Sequence, residues 1–154
     1  MRRKLIAIFI LSLAGITVSA YALHLHYTVD PSSFCNFNDT LNCDVVNKSW
    51  ASQIAGIPVA LVGIIGYGLL ALGSVWLFVT QKLRQLTWGA MALASAGALG
   101  FALFLTGVET FDLHAYCVVC LASQAIILAV AWLVWSEAEA RQGLRSWFFS
   151  SSSS

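Results

Sequence analysis

Four long apolar runs, separated by shorter polar segments, dominate the chain. They cover about residues 5–27, 56–80, 86–107 and 113–135. Each run is long enough to cross ~30 Å of hydrocarbon as an α-helix. The pattern therefore predicts an all-α integral membrane protein built as a four-transmembrane-helix bundle, with residues 1–149 forming a single domain.

The first run has a second interpretation, because a basic head precedes it and Ala20 offers a small-residue cleavage site for a signal peptide. The length of the run and the rim of aromatic and histidine residues at its end, from Tyr21 to Tyr27, favour a membrane span. The first run is therefore expected to remain in the protein as the first helix.

The polar segments are unequal. Residues 28–55 form the one substantial loop, which carries Cys35 and Cys43, and residues 44–51 are predicted to form a short helix on the membrane surface. Residues 109–112 are predicted to form a short acidic turn before the fourth span, and the serine run 150–154 is predicted to be disordered.

Composition supports the membrane assignment. The chain is 59% hydrophobic and 10% charged, with a mean hydropathy of +0.81. A soluble domain normally carries about 25% charged residues, so a soluble globule is excluded. The chain has no basic tract, and we expect the lipid bilayer and no nucleic acid among its partners.

The distribution of charge predicts the orientation. Seven of the eight Lys and Arg residues lie in the N-terminal head, the turn between the second and third spans and the C-terminal tail, and Lys48 is the exception. The positive-inside rule then places both termini in the cytoplasm and all four cysteines at the outward end. In a bacterium this means the inner membrane with the cysteines facing the periplasm, and in a eukaryote the membrane of the endoplasmic reticulum.

The cysteines form two pairs, Cys35 with Cys43 in the loop and Cys117 with Cys120 at the head of the fourth span. Residues three apart on a helix share one face, and the N-terminal end of a helix favours a thiolate. Cys120 should lie one turn, ~5 Å, deeper than Cys117. The outward side is oxidising, and thiol–disulfide exchange could link the two pairs.

Other interpretations of these residues remain open. Each pair could be a static disulfide in a non-catalytic tetraspan protein, and four cysteines could also bind zinc, although no metal site is the expectation we adopt. Gln124 lies one turn below Cys120, where its amide could bind a ligand carbonyl or another helix. Ser49 and Ser52 could roof a ligand pocket or be ordinary surface serines.

The joint pattern resembles the vitamin K epoxide reductase family over about residues 5–136. The features that carry the resemblance are Cys35-x7-Cys43, Ser49, the sequence Gly56-Ile57-Pro58 and Cys117-Val118-Val119-Cys120. The resemblance implies a thiol–disulfide oxidoreductase that reduces a membrane quinone of the ubiquinone, menaquinone or vitamin K type. It also implies that Cys120 reduces the quinone and that Cys117 exchanges with Cys43. Cys35 would receive electrons from a thioredoxin-fold protein of the DsbA type.

The resemblance also implies a ligand pocket beneath Ser49. Ser52 and Gln124 stand where the animal enzymes of this family are expected to have an asparagine and a tyrosine that hold the substrate ring. This departure favours the bacterial branch, which generates disulfides, and leaves vitamin K epoxide reduction as the alternative function. The chain ends before a fused thioredoxin-like domain could follow, so the partner is expected to be a separate protein.

Overall fold

A computed structural model describes residues 2–28, 43, 46, 48–54, 56–80, 84–114 and 116–151. Four helices in these residues are long and apolar enough to cross a membrane, which confirms the predicted all-α membrane fold. They are α1 (Arg2–Tyr27), α2 (Val59–Val79), α3 (Arg84–Val108) and α4 (Val118–Ser151). Cys35 lies outside the described residues, as does most of the predicted surface helix over residues 44–51.

The helix ends on the side of the cysteines carry short additional elements. A 3-10 turn (Trp50–Ser52) leads into a small antiparallel hairpin of β1 (Gln53–Ile54) and β2 (Ile57–Pro58). Gly56 in the hairpin turn has a φ of 81°, which glycine adopts without the steric penalty of a side chain. Because residues 57–58 pair in this hairpin, α2 begins at Val59, later than the predicted start at residue 56.

The third span ends in a widened turn. After Val108 the helix continues as a π-helical turn (Glu109–Leu113), and His114 then takes a left-handed conformation with a φ of 49°. A π-helical turn inserts an extra residue into a helical turn and frequently occurs at functional sites. The chain next reaches Cys117, immediately before α4 begins.

The helices pack through one continuous core. Helix α1 packs most extensively on α2, and α4 packs on both α1 and α3. Where α1 meets α2, the ring of Tyr67 lies against the backbone of Gly15, and a Cβ atom at Gly15 would stand 2.5 Å from the ring. Small residues allow such close approach between membrane helices. The buried core is formed by Leu5, Ile8, Tyr67, Leu70, Leu77, Trp88, Met91, Ile127, Val130 and Val134.

Contacts between charged residues mark the end of the bundle opposite the cysteines. Lys4 Nζ lies 3.2 Å from Ser136 Oγ and 3.9 Å from Glu137 Oε1, which joins the start of α1 to α4. Helix α4 continues beyond the predicted span end at residue 135 and includes Ser150 and Ser151, the first two residues of the run predicted to be disordered. Large apolar side chains that face away from the bundle, such as Leu72 and Trp132, are suited to lipid.

Candidate active site

Two cysteines that are distant in sequence meet at one end of the bundle. Cys117 Sγ lies 3.3 Å from Cys43 Sγ, and both residues are fully buried. They belong to a small apolar cluster with Leu25 and Val46, separate from the main core. Cys43 is disulfide-bonded, whereas Cys117 and Cys120 are in the thiol form. A thiol in contact with a disulfide sulfur is the geometry from which thiol–disulfide exchange starts.

Cys117 caps the N-terminal end of α4. Its carbonyl oxygen accepts the Leu121 N–H at 3.0 Å, which is the first hydrogen bond of the helix. Its sulfur lies 3.4 Å from the backbone nitrogen of Cys120, which donates to it. A side chain at this position satisfies one of the N–H groups that a helix start leaves without an intrahelical partner. The sulfur is therefore held by the helix end that stabilises negative charge.

These contacts lower the pKa of the Cys117 thiol below its ordinary value. The largest cause is the hydrogen bond from the side chain of Cys120, and backbone N–H groups of Cys120 and Val119 act in the same direction. Burial and the nearby charge of Glu109 oppose the shift without reversing it. Cys117 is therefore the more reactive nucleophile at the boundary between the loop and α4.

Glu109 is buried beside the Cys117–Cys120 pair. It is the first residue of the π-helical turn and is only 2% exposed. Its carboxyl group lies within interaction range of the Cys117 backbone N–H and the Cys120 thiol. The sequence places Glu109 in a polar acidic turn, whereas the structure buries it against Cys117 and Cys120.

A cavity of about 460 Å³ opens beneath the loop and is lined by parts of all four helices. Cys120 and Glu109 lie in its wall, whereas Cys117 lies outside the lining. Most of the wall is apolar, and small residues of α3, among them Ala94 and Gly97, leave room for a ligand. The volume falls within the range of small-molecule pockets.

The polar residues predicted to contact a ligand all line this cavity. Ser49 and Ser52 donate their hydroxyl hydrogens to backbone carbonyls at 2.7 Å, those of Val46 and of Ser49 itself. The side-chain amide nitrogen of Gln124 donates to the Ala102 carbonyl oxygen at 3.2 Å and to Thr106 Oγ1. Gln124 thus joins α4 to α3 while also facing the cavity.

Tyr67 is, after Glu109, the second cavity residue that the sequence did not identify. Its hydroxyl donates to the Ser123 carbonyl oxygen at 2.8 Å and lies 3.1 Å from Ser123 Oγ. Tyr67 stands in the middle of an apolar run, where a tyrosine offers no local signal of function. The sequence offered a signal of function at Glu109, as a carboxylic acid next to the end of a span. The burial of this residue could be recognised only from the tertiary structure.

No group of three or more histidine, cysteine or acidic residues is arranged to hold a metal ion in the part of the chain that the structure describes. The arrangement instead offers a disulfide sulfur, a capped thiol and a second thiol in a continuous path from the loop to the cavity. Such a path can move electron pairs between a loop disulfide and a molecule in the cavity by successive exchange.

One comparison with known proteins bears on this arrangement. The sequence profile of the vitamin K epoxide reductase family matches residues 6–135, which reach from α1 into α4 and include both cysteine pairs.

Proposed function

Since the chain belongs to the vitamin K epoxide reductase family, whose members are membrane oxidoreductases, we propose that it generates disulfides. It oxidises the thiols of a separate thioredoxin-fold protein and passes the electrons to a membrane quinone. Family membership implies quinone-linked thiol chemistry in general, and the partner and this direction of flow are our proposal. Reduction of a vitamin K epoxide by the same cysteines is the alternative.

One observation carries the proposal. The 3.3 Å contact between Cys43 Sγ and Cys117 Sγ joins the loop to the head of α4, and Cys120 continues from there into the cavity wall. Two static disulfides would not require the sulfurs of different pairs to touch. A relay requires this contact, because a thiolate must reach the sulfur that it attacks.

The electron pair moves in three stages, each made of thiol–disulfide exchanges. The partner's two thiols reduce a Cys35–Cys43 disulfide, so that the partner leaves as a disulfide and the loop holds two thiols. Cys43 then attacks Cys117 of a Cys117–Cys120 disulfide and releases the Cys120 thiol. Cys35 attacks Cys43 in the resulting mixed disulfide, which restores the loop disulfide and leaves Cys117 as a thiol.

The observed arrangement corresponds to the end of this sequence. Cys43 is disulfide-bonded, while Cys117 and Cys120 are thiols. The lowered pKa of Cys117 makes it a good leaving group in the last exchange, because thiols of lower pKa leave faster. Re-oxidation of Cys117 and Cys120 to a disulfide then delivers the electron pair to the cavity.

The cavity fits a quinone. A quinone bound there would supply a two-electron acceptor that also takes up two protons. The apolar wall and the small residues of α3 suit a flat ring with an apolar tail, and Cys120 lies where the ring can be reached. Ser49 and Ser52 cover the cavity from the loop, and Gln124 lies in its wall on α4, so we assign these three residues to ligand binding.

The proposed orientation follows the charges. Arg2, Lys4 and Arg84 lie at the helix ends opposite the cysteines, and we place that end in the cytoplasm. The loop then faces the periplasm in a bacterium or the lumen of the endoplasmic reticulum in a eukaryote. A thioredoxin-fold partner in either compartment could reach Cys35.

The test measures quinone reduction by the purified chain in proteoliposomes, with either reduced thioredoxin or dithiothreitol as the electron donor. Menadione and a short-chain ubiquinone serve as acceptors. We expect Cys120→Ala to abolish turnover with both donors. Cys35→Ala should abolish turnover with thioredoxin and spare turnover with dithiothreitol, which can reduce Cys117 and Cys120 directly.

Thr17→Ala, an exposed change on α1, is the matched control and should retain both activities. Unchanged thioredoxin-driven turnover in Cys35→Ala would show that the relay is wrong. Failure of the unaltered protein to reduce either quinone with either donor would overturn the proposed function itself.

A further inference from the structure

The buried carboxyl group of Glu109 has no role in the electron relay described so far. A carboxyl group that is 98% removed from solvent is costly unless its polar atoms are satisfied. Glu109 Oε2 is buried with no hydrogen-bond partner among the described residues. Such an atom in a cavity wall is available to a ligand.

The neighbours of Glu109 are the groups that react. Its carboxyl group interacts with the Cys120 thiol and the Cys117 backbone N–H, and Glu109 and Cys120 both line the cavity. Glu109 is the first residue of the π-helical turn that ends the third span.

We propose that Glu109 is the proton-transfer residue of the quinone-reducing half-reaction. It takes the proton from the Cys120 thiol and delivers it to a quinone oxygen. The inference rests on the proposed function and adds to it, because the relay of sulfurs moves electrons and leaves the route of the protons undefined.

The step balances as follows. The S–H bond of Cys120 breaks, the Cys117–Cys120 S–S bond forms, and two electrons pass to the quinone. The Cys120 proton moves to the Glu109 carboxylate and from there to one quinone oxygen. The other quinone oxygen takes its proton from water. This proton balances the proton that Cys117 releases to the aqueous side when its thiol ionises.

Several other polar side chains that line the cavity already donate their hydrogens within the protein. Tyr67 donates to the Ser123 carbonyl oxygen, and the amide nitrogen of Gln124 donates to α3. Ser49 and Ser52 donate to backbone carbonyls. Glu109 differs because its carboxyl group can take up and release a proton and faces both the thiol and the cavity.

The first experiment compares Glu109→Gln with Asp112→Asn. Glutamine keeps the size and polarity of Glu109 and cannot carry the proton. Asp112 lies in the same π-helical turn and is exposed, so its variant is the matched control. Stopped-flow mixing of the pre-reduced protein with menadione isolates quinone reduction, and mixing of the oxidised protein with dithiothreitol isolates reduction of the cysteines.

We expect Glu109→Gln to slow quinone reduction by at least about a hundredfold, the usual scale of general acid–base catalysis. Reduction of the cysteines by dithiothreitol should stay within about threefold of the unaltered protein, because that step does not use the proposed proton route. Asp112→Asn should leave both steps unchanged.

A second variant distinguishes loss of the carboxyl group from loss of the fold. Glu109→Ala should lose quinone reduction and recover it in part when formate is added, because a small carboxylic acid can occupy the vacated space. Rescue should follow formate concentration and be absent with chloride. A residue that only supports the fold would not be replaced by formate.

A third readout does not depend on turnover. Infrared difference spectra between the oxidised and dithiothreitol-reduced protein, recorded without quinone, should contain a carboxyl band that Glu109→Gln removes and Asp112→Asn retains. Its persistence in Glu109→Gln would overturn the inference, as would quinone reduction at the unaltered rate. If the unaltered protein reduces no quinone while the band is lost as expected, the proposed function fails and Glu109 remains coupled to the thiol pair.

Discussion

The hydroxyl group of Tyr67 on α2 donates a hydrogen bond of 2.8 Å to the backbone carbonyl of Ser123 on α4. Tyr67 also packs its ring against Gly15 on α1, so one side chain joins three helices at the wall of the cavity. Ser123 lies in the second turn of α4, three residues after Cys120. The position of the reactive thiol therefore depends on packing within the span.

Gly15→Ala tests this dependence. The new Cβ atom would lie 2.5 Å from the Tyr67 ring, so the ring must move and the hydroxyl group must leave Ser123. Overpacking of this kind costs about 1–3 kcal/mol. We expect a lower Tm in detergent and a higher KM for menadione.

The control for that substitution is Gly68→Ala, because no atom lies within 4 Å of the position that its Cβ would take. Equal Tm and KM values for the two variants would contradict the packing argument.

The lowered pKa of Cys117 predicts the pH dependence of its alkylation. The thiolate reacts with iodoacetamide, so the half-maximal rate should fall at a pH below about 8.5, the ordinary value for cysteine. Removal of the principal hydrogen-bond donor in Cys120→Ala should shift this midpoint to higher pH. Mass spectrometry of the reduced protein identifies the alkylated residue. Alkylation rates at different pH values are compared as ratios within each protein, because burial of the thiol slows the reaction equally at every pH.

Cys120→Ser provides the comparison, since a hydroxyl group can still donate to the Cys117 sulfur. Its midpoint should lie between those of the unaltered protein and Cys120→Ala. A midpoint that is the same in all three proteins would show that the hydrogen bond does not set the reactivity of Cys117.

Gln124 can be assigned by a double-mutant cycle with its partner Thr106 on α3. Interhelical hydrogen bonds in membranes contribute about 0.6 kcal/mol on average and ~1.7 kcal/mol at most. We expect Gln124→Leu and Thr106→Val each to lower stability, with a coupling energy in that range when the two are combined. Unfolding in mixed micelles provides the measurement.

The same two variants separate packing from ligand binding. If Gln124 holds the quinone as proposed, Gln124→Leu raises the KM for menadione by more than Thr106→Val does. Equal KM values for the two variants would show that Gln124 forms the interhelical hydrogen bond and does not hold the quinone.

Gly56→Ala addresses the hairpin that covers the cavity. Because Gly56 has a φ of 81°, alanine there is strained even though no atom crowds the position. We expect a cost of about 1 kcal/mol and a weaker hold on the adjoining turn of Ser49 and Ser52. Faster limited proteolysis of the loop would report the change, with Gly89→Ala on α3 as the control.

The membrane fold could be predicted from the sequence because each span is a continuous apolar run, and hydrocarbon thickness alone fixes its length. The start of α2 could not be predicted, since Ile57 and Pro58 pair with residues that are themselves unremarkable in sequence. The helical backbone at Ser150 and Ser151 could not be predicted either, because a run of serines has no periodic pattern of apolar residues.

The candidate site was predictable in part for a related reason. Spacing brings Cys117 and Cys120 to one helix end, and charge assigns that end to the same side as Cys43. Neither reveals the contact between Cys43 and Cys117, which depends on how the loop folds over α4. The roles of Glu109 and Tyr67 could not be predicted, because the sequence does not reveal a π-helical turn or a ring packed on a glycine.

The cap at the start of α4 also sets how strongly the thiol pair attracts electrons. The helix end and the Cys120 N–H stabilise the Cys117 thiolate, and a disulfide at the same position carries no charge to be stabilised. Selective stabilisation of the reduced form raises the reduction potential of a cysteine pair and makes its disulfide a stronger oxidant. In the proposed relay, the backbone of α4 thereby draws electrons from the loop toward the membrane.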